Sequence, residues 1–377
     1  MKGSPVHLIC ALGDPTLPTV WSGVPYRIFL DLKRLGRLGE THFIRLGTFW
    51  QALDRCGRLV LREQDRAVNT STVMNVARMW ATRRWSARLA NTGPILHFGT
   101  REFPCSSRGR LKQQYVFVDA TFGSWMKERL RPLVSASMLQ ALEDRERRCF
   151  EQAEHVFCAG QYVKNLLELD YGIAPERVTA VGTGLGGIQP YAGPKRYARG
   201  NILFVSKSNF EKKGGRLTVA GVRLLREQGI DVQLTLVGSA QYPDEYQGIP
   251  WLRLLGRLPP GGTELQGLFE EHTLFAMPSV YDAWGMAWLE ALACRMPVVG
   301  LNRNAFPEIC GNGRYGFILS NETPEEFARV VKEALANPER LEKMGGEGQA
   351  HVLRQYSWEN TCARMLEIMD RNQPHEK

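Results

Sequence analysis

The chain alternates short apolar runs with longer stretches in which apolar residues recur at helical spacing. Buried strands are predicted at 6–12, 41–47, 57–63, 94–99, 114–120, 153–160 and 177–184 in the first half, and at 201–206, 232–238, 251–256, 272–279, 296–302 and 316–319 in the second. Helices are predicted at 24–36, 68–90, 136–152, 215–228, 264–271, 285–295 and 323–336, with a terminal helix at 356–370. Short buried strands that alternate with helices are typical of parallel sheets in doubly wound α/β domains.

One segment interrupts this alternation. Residues 185–200, LGGIQPYAGPKRYARG, are rich in Gly and Pro and have no periodicity, which is typical of a linker. We therefore predict a Rossmann-like domain at 1–190, a second one at 197–355, and a C-terminal helix within 356–377 that packs back toward the first domain. Because ligands of such sheets bind at the carboxyl ends of the strands, polar residues at those ends are the candidate site residues.

Composition narrows the class of protein. The chain has 377 residues, of which 44% are hydrophobic and 23% charged, as in soluble globular proteins. Its apolar runs are far shorter than the roughly 18–20 residues that cross a bilayer, and the run at 6–12 is too brief for a secretory signal. The eight cysteines form no CxxC pair, as expected for reduced thiols in a cytoplasmic protein.

Charge is unevenly distributed along the chain. Residues 1–196 hold 28 Lys and Arg against 17 Asp and Glu, a net charge of +11, whereas residues 197–377 hold 20 against 22, a net charge of −2. The first half would attract an acidic substrate, a phospholipid surface or nucleic acid, although a solvated basic face without a partner is an equal alternative. Nucleic acid is the least favoured partner because the chain has no recognised binding motif or aromatic platform.

The stretch FVSKSNFEKKGGRLTVAGVRLL at 204–225 predicts an anion site. A buried strand ends at its tip with Lys207, a loop brings Lys212 and Lys213, and Gly214-Gly215 open a helix. Cations beside a helix N-terminus favour an anion, because the helix amides point outward and the helix dipole adds positive potential. The sequence GxxxxGK[ST] is absent, so this is not the P-loop of ATPases. A solvated lysine loop is the alternative interpretation.

A second stretch, PSVYDAWGMAWLEALACRMPVVG at 278–300, carries a carboxylate within an apolar helix. The amides of Gly285, Met286 and Ala287 at the helix start could face the same diphosphate. Because an unpaired buried carboxylate costs several kcal/mol, Glu290 needs donors. Vicinal ribose hydroxyls and an ion pair with Arg295 both satisfy that need, and the spacing leaves both open.

One apparent motif is set aside. Residues 182–187, GTGLGG, match the GxGxxG pattern after a strand. The nicotinamide dinucleotide fingerprint requires a helix to begin there, and IQPYAGP cannot open one. We interpret this segment as the turn into the linker.

Taken together, residues 200–360 resemble retaining glycosyltransferase family 4, which has the GT-B fold. The stretch from Pro278 resembles the E-x7-E region of that family, with Asp282 in place of the first Glu and Glu290 matching the second. SKSNFEKKGG resembles the family's phosphate site, with Lys207 in place of Arg and Lys213 matching the Lys. The first half resembles the family more loosely.

The resemblance implies two Rossmann-like domains that face each other across a cleft, and it implies roles for single residues. Glu290 would bind the ribose, Asp282 the sugar hydroxyls, and Leu258 would lie near the base. Asp119, which follows a strand where many members have a histidine, would orient the acceptor or the sugar, and His97 is the other candidate for that role. The implied catalytic residues are Asp119, Asp282, Lys207 and Lys213, and the implied diphosphate-binding residues are Gly23, Lys207, Lys212, Lys213, Gly285, Met286 and Ala287.

The implied reaction is transfer of a hexose-type sugar from a nucleotide-diphosphate sugar to a glycan or lipid-linked acceptor, with retention of configuration, as in polysaccharide biosynthesis. No cofactor is expected beyond the nucleotide sugar as co-substrate. No metal is expected either, since no DxD sequence occurs and lysines would supply the positive charge. The alternative function is a catalytically inactive GT-B protein that binds glycans or nucleotides, or, less favoured, a nucleic-acid-binding protein.

Two further expectations concern the membrane. The basic first half suggests an acidic or lipid-linked acceptor at the inner face of a membrane. The predicted helix 68–90, with Met74, Met79, Trp80, Trp85 and several arginines, could lie on anionic lipid. Packing of the same apolar stripe onto the sheet is the favoured interpretation of this helix.

Overall fold

The computed structural model describes residues 3–45, 47–50, 52, 63–89, 91–106, 109–124, 136–206 and 209–373. The chain divides into two compact units. The first unit comprises Met1–Thr183 together with Trp358–Lys377, and the second comprises Gly184–Ser357.

A parallel sheet of six strands forms the centre of the first unit. Its strands are β1 (Val6–Cys10), β2 (Leu38–Phe43), β3 (Ile95–Phe98), β4 (Gln114–Val118), β5 (His155–Cys158) and β6 (Val178–Ala180). They lie in the order β2-β1-β3-β4-β5-β6, and every neighbouring pair is parallel. β1, β3 and β5 are buried along their whole length and are apolar except for one histidine each, as in sheets covered on both faces.

Helices cover this sheet. They include α1 (Val24–Arg34), α2 (Glu63–Arg88), α3 (Ala136–Gln152) and α4 (Gln161–Leu169). One apolar cluster joins Ala77 and Trp85 of α2 to Ile9 and Ile95 of the sheet, and another joins Phe150 of α3 to β4 and β5. The favoured interpretation of α2, packing onto the sheet, therefore holds for Trp85. The side chain of Met74 and the predicted strand 57–63, except its last residue, lie outside the described residues; Glu63 is the first residue of α2.

The second unit repeats the architecture with a different strand order. Its strands are β7 (Asn201–Val205), β8 (Gln233–Val237), β9 (Leu252–Leu255), β10 (Leu274–Ala276), β11 (Val298–Leu301) and β12 (Gly316–Leu319). They form a parallel sheet in the order β12-β11-β10-β7-β8-β9. The carboxyl ends of all these strands lie at one edge, where a ligand of a doubly wound domain is expected.

Helices alternate with the strands of the second unit as well. They include α5 (Gly215–Glu227), α6 (Thr263–Glu271), α7 (Met286–Ala293), α8 (Phe306–Ile309), α9 (Pro324–Leu335) and α10 (Pro338–Gln355). The side chains of Thr323 and Asn337 accept hydrogen bonds from backbone amides in the first turns of α9 and α10, which satisfies donors that the helix leaves unpaired. The prediction of two α/β units with parallel sheets is confirmed.

The last helix, α11 (Trp358–Arg371), belongs to the first unit. It contacts α1, and its buried face carries Cys362, Met365 and Met369. Arg37 forms an ion pair with Asp370 of α11 at 2.6 Å, which fastens the helix to the start of β2. No helix within the described ranges has the length and apolar character needed to cross a bilayer.

Candidate functional site

The entry to α5 is built against the loop that follows β10. Gly214 is the N-cap of α5 and has a left-handed backbone, with φ of 82°. A Cβ atom at this position would overlap the carbonyl of Pro278, so only glycine permits the close approach. The amide of Val280 donates to the Lys212 carbonyl at 2.9 Å and joins the two loops. These contacts hold the lysine loop beside the loop that contains Asp282.

An ion pair occupies this junction. The Lys213 ammonium pairs with the Asp282 carboxylate, and the two side chains are 17% and 19% exposed. The sequence analysis predicts separate ligands for these two residues: a phosphate for Lys213 and sugar hydroxyls for Asp282. The structure instead brings them into direct contact, so a phosphate that binds Lys213 competes with Asp282. The side chain of Lys212 is exposed, and Lys207 lies outside the described residues.

The entry to α7 is a second helix N-terminus that a glycine caps. Gly285 has φ of 66°, and a Cβ there would overlap the ring of Trp288, which packs against Phe306 with ring centroids 4.9 Å apart. Neither Gly285 nor Gly214 offers a side chain to its own helix start. The Gly215 amide, the first of α5, donates to the Phe210 carbonyl at 2.9 Å. The next amides of α5 and the first amides of α7, including those of Met286 and Ala287, have no N-cap side chain over them, so their partial positive charge favours an anion.

Glu290 accepts hydrogen bonds from the backbone. Its Oε1 atom accepts the amide protons of Gly187 at 2.8 Å and Ile188 at 3.2 Å. Arg295, the ion-pair candidate from the sequence, pairs with Glu342 at 3.5 Å. Glu290 is half-buried, and its two backbone donors offset much of the cost of desolvating the carboxylate. The Glu290 carboxylate thus holds the backbone of Gly187 and Ile188, near the start of the second unit, against this apolar helix.

The segment around Gly187 also meets the loop after β9. A Cβ at Gly187 would lie 2.6 Å from the amide nitrogen of Gly261, so the two backbones touch. Leu258, expected near the base, is half-buried in this same loop. Gly187 therefore contacts both Glu290 of α7 and the loop that carries Leu258, so all three lie together within the second unit.

In the first unit, Asp119 follows β4 and is held by an aromatic residue that the sequence did not single out. The Trp21 indole donates its Nε1 proton to Asp119 Oδ2 at 2.8 Å. Trp21 makes edge contacts with Phe98 and Phe117, with ring centroids 6.3 and 6.0 Å apart. No sequence signal reveals this contact, because 98 residues separate its two partners.

The turn that presents Trp21 has an unusual backbone. Trp21, Ser22 and Gly23 have φ of 45°, 54° and 86°, so three successive residues are left-handed before α1 begins. Side chains other than glycine rarely adopt this region, and such conformations persist where the surrounding structure enforces them. Gly23, expected near the donor phosphates, is therefore the last residue of a constrained turn at the carboxyl end of the sheet.

His97, the alternative to Asp119, is a core residue. It is fully buried in β3, and its Nε2 shares a hydrogen bond with Gln114 Oε1 at 2.8 Å. Burial lowers the pKa of His97 to about 4, so the ring is neutral at physiological pH. A side chain without exposed surface does not reach an acceptor, whereas Asp119 is partly exposed.

Comparison with known proteins finds relatives over part of the chain. Residues 199–337 match the family model described as "Glycosyl transferases group 1". A relative named D-inositol 3-phosphate glycosyltransferase, from Gordonia bronchialis, is 24% identical over 192 residues. That match covers 51% of this chain but 40% of the relative, so less than half of the relative's length corresponds to this chain.

Solved structures match nearly the whole chain. Sucrose-phosphate synthase from Thermosynechococcus elongatus is similar with a TM-score of 0.71 at 16% identity, covering 98% of both chains. HepE from Anabaena, solved in complex with UDP and glucose, is similar with a TM-score of 0.64 at 13% identity, covering 97% of this chain and 100% of HepE. At these identities the likeness establishes the fold, which is the predicted GT-B fold.

Proposed function

We propose that this protein is a glycosyltransferase, because residues 199–337 match the group 1 glycosyl transferase family model and the chain has the GT-B fold. It moves a hexose-type sugar from a nucleotide-diphosphate sugar to a glycan or lipid-linked acceptor and retains the anomeric configuration. The observation that supports this most is the junction of the lysine loop with the loop after β10. There Lys213 directly precedes Gly214, the N-cap of α5, and pairs with Asp282, which lies shortly before Gly285, the N-cap of α7; neither N-cap offers a side chain to its helix amides.

The proposed mechanism uses fixed positive groups in place of a metal ion. As the anomeric C–O bond breaks, negative charge grows on the leaving phosphate, and Lys213 with the amides at the starts of α5 and α7 stabilises it. Lys207 is proposed to assist. The leaving phosphate then takes the proton of the incoming hydroxyl on the same face of the sugar, which gives retention. Asp119, held by Trp21, orients the acceptor or the sugar.

Glu290 is proposed to bind the ribose as well as the backbone of Gly187 and Ile188. A carboxylate offers about four acceptor positions, so two amide bonds at Oε1 are compatible with a ribose contact. Leu258 is proposed to lie near the base. The UDP in the HepE complex supports a nucleoside diphosphate as the donor's leaving group through likeness of fold only.

A thermal-shift panel of nucleotide sugars, followed by hydrolysis assays on the hits, tests this proposal. We expect Lys213→Ala and Glu290→Gln to lose the shift, and Asp119→Asn to keep the shift but lower turnover. Arg216→Ala is the matched control, because Arg216 is an exposed cation on α5 that pairs with Glu211 and Glu245. An unchanged shift in both Lys213→Ala and Glu290→Gln would remove the donor site. Binding without transfer or hydrolysis would favour the alternative of an inactive GT-B binding protein.

The acceptor is proposed to lie at the inner face of an anionic membrane. Along the outer face of α2, Val76 and Trp80 are 41% and 60% exposed, and the exposed Arg84 follows one turn after Trp80. Exposed aromatic and basic residues on one helix face suit contact with anionic lipid. Sedimentation with vesicles of anionic lipid at low salt checks this. Wild type should pellet and Trp80→Ser should pellet less, whereas absence of binding by wild type would remove the membrane contact.

A further inference from the structure

Two cysteines of the first unit lie in direct contact. Cys105, in the loop after β3, and Cys149 of α3 have their Sγ atoms 3.2 Å apart, although 44 positions separate them in the chain. A disulfide joins its sulfurs at about 2.0 Å, so the two atoms need to come only about 1 Å closer to form one. Cys158, Cys294 and Cys310 instead direct their thiols to backbone carbonyls, at 3.4 or 3.5 Å.

The loop after β3 runs along one face of α3. Arg145, Cys149 and Gln152 share that face, because residues three and four apart on a helix are neighbours. Arg145 donates to the Arg101 carbonyl at 2.8 Å. Gln152 accepts from the Ser106 amide at 2.7 Å and donates to the Ser106 carbonyl at 2.6 Å. The loop is therefore fastened to α3 on both sides of Cys149, which keeps the two thiols side by side.

The two thiols differ in exposure and in how tightly they hold a proton. Cys149 is fully buried, whereas Cys105 is half-buried. The hydrogen bond from Cys149 lowers the pKa of Cys105, and the nearby cations Arg145 and Arg148 lower this pKa further. The same contact, together with burial, raises the pKa of Cys149. Because the thiolate is the reactive form, Cys105 is the thiol of this pair that attacks an oxidant.

We propose that Cys105 and Cys149 are a redox modification site, at which a low-molecular-weight disulfide of the glutathione class converts the two thiols into a reversible disulfide. The Cys105 thiolate attacks one sulfur of the oxidant, breaks its disulfide bond and releases one small thiolate. Cys149 then attacks the Cys105 sulfur of this mixed disulfide and releases the second. The two protein thiols give up two electrons and two protons, and the oxidant becomes two small thiols.

The cross-link fixes the loop after β3 to α3 until a reductant restores the thiols. Both cysteines are free in the structure, which is the form that a reducing compartment maintains, and a shift toward oxidising conditions links them. Since the loop already lies on α3, the link requires no change of fold. The proposal does not rest on the proposed function, because it uses neither Asp119 nor the lysines of the proposed donor site.

Incubation of the full chain with oxidised glutathione, followed by alkylation of the remaining thiols and peptide mass spectrometry, tests the proposal. In native buffer we expect the Cys105–Cys149 cross-link to exceed the mixed disulfide of Cys105 with glutathione by about tenfold or more, because the fold gives Cys149 a high effective concentration. In urea this preference should disappear, because the unfolded chain no longer holds the two cysteines together. Dithiothreitol should restore both thiols.

Three single variants assign the two roles. Cys149→Ser should accumulate the mixed disulfide at Cys105, because the thiol that resolves it is gone. Cys105→Ser should leave Cys149 reduced, because Cys149 is buried. Cys310→Ser is the matched control: Cys310 is also a buried thiol, but it donates to the Pro307 carbonyl, so this variant should form the cross-link as wild type does.

Three results with the wild-type chain would overturn the proposal, whether or not the variants fold. The first is that Cys105 and Cys149 both stay free in oxidised glutathione. The second is a mixed disulfide at Cys105 that persists in native buffer without conversion to the cross-link. The third is the same ratio of cross-link to mixed disulfide in native buffer and in urea, which would mean that the fold does not favour the pairing.

Discussion

At the residue scale, the contact between Lys213 and Asp282 makes a prediction about donor binding. The pair is partly buried, and the carboxylate neutralises the cation that is proposed to hold the diphosphate. Asp282→Asn frees Lys213 and removes a negative charge near the phosphates, so we expect a nucleoside diphosphate to bind about three- to tenfold tighter. The same variant should lower turnover of the nucleotide sugar, because an amide orients the sugar hydroxyls differently. Calorimetry with UDP and GDP, together with hydrolysis of the matching sugars, measures both effects.

Glu211→Gln is the matched control for this prediction. Glu211 also pairs with a cation at the entry to α5, but its partner Arg216 points to solvent and both side chains are more than half exposed. Exposed pairs contribute little, so the affinity for a diphosphate should not change. If Asp282→Asn weakens diphosphate binding, then the carboxylate supports the site and does not compete with the ligand for Lys213.

The indole of Trp21 makes a second prediction at this scale. Trp21→Phe retains an aromatic ring beside Phe98 and Phe117 but removes the proton that Asp119 accepts at 2.8 Å. We expect kcat to fall about tenfold, while the affinity for the donor stays unchanged, since the cations proposed to hold the donor belong to the other unit. If Trp21 acts by positioning Asp119, Trp21→Phe should have no further effect in an Asp119→Asn background. Full additivity of the two losses would contradict the positioning role.

At the element scale, sequence patterns predicted most helices and strands because burial and helix signals are local. The helix at 136–152 has the predicted bounds, and the strand at 316–319 does as well. β2 begins at Leu38, three residues before the predicted start, because its half-buried residues give only a weak apolar pattern. The segment read as a linker does lack regular secondary structure up to residue 196, yet its backbone binds Glu290.

The candidate site was less predictable than the elements because its contacts join distant parts of the chain. Local signals were enough to mark Lys213, Gly285 and Glu290, since helix entries and a charge in an apolar run are visible in the sequence. The pairings were not visible: the Lys213–Asp282 pair spans 69 residues and the Gly187–Glu290 bond spans 103. Such pairings are set by strand order and loop packing, which a single sequence does not reveal.

Two adjacent glycines of α10 test how tightly this helix packs. A Cβ at Gly345 would overlap the carbonyl of Arg295 and lie 2.8 Å from the Tyr197 hydroxyl, whereas one at Gly346 meets nothing within 4 Å. We expect Gly346→Ala to raise the free energy of unfolding by about 0.5–1 kcal/mol, since alanine favours the helix. Gly345→Ala should lower it by about 1–3 kcal/mol through overpacking. Denaturant unfolding of both variants measures the difference, and equal effects would mean that α10 is not held against Arg295.

At the scale of the whole molecule, stability depends on ionisable groups buried in the first unit. Glu102 and His97 are both fully buried, with His97 Nδ1 3.9 Å from Glu102 Oε1. Burial disfavours the charged form of each group, so it raises the pKa of Glu102 to about 8 and lowers the pKa of His97 to about 4. Both are therefore neutral in the folded state near pH 6.5, and their effects on the pH dependence of stability have opposite signs.

The sign of each contribution to stability depends on which state, folded or unfolded, binds the proton of that group more tightly. Between about pH 4.5 and 8 the folded chain keeps the Glu102 proton that the unfolded chain has lost, so the Glu102 contribution falls as pH rises through this window. Between about pH 4 and 6.5 the unfolded chain binds the His97 proton that the folded chain rejects, so the His97 contribution rises with pH and is constant above that range.

Glu102→Gln isolates the first of these contributions. Relative to wild type, we expect its free energy of unfolding to gain about 2 kcal/mol between pH 6 and pH 8, because only in wild type does the folded chain retain a carboxyl proton that the unfolded chain releases. His97→Gln is the matched variant in the same cluster, and its difference from wild type should change below pH 6.5 and stay constant from pH 7 to 8. Urea unfolding at half-unit pH steps gives both profiles. Since groups common to wild type and variant cancel in the difference, a flat profile for Glu102→Gln above pH 6 would mean that this carboxyl is solvated or charged in the folded chain.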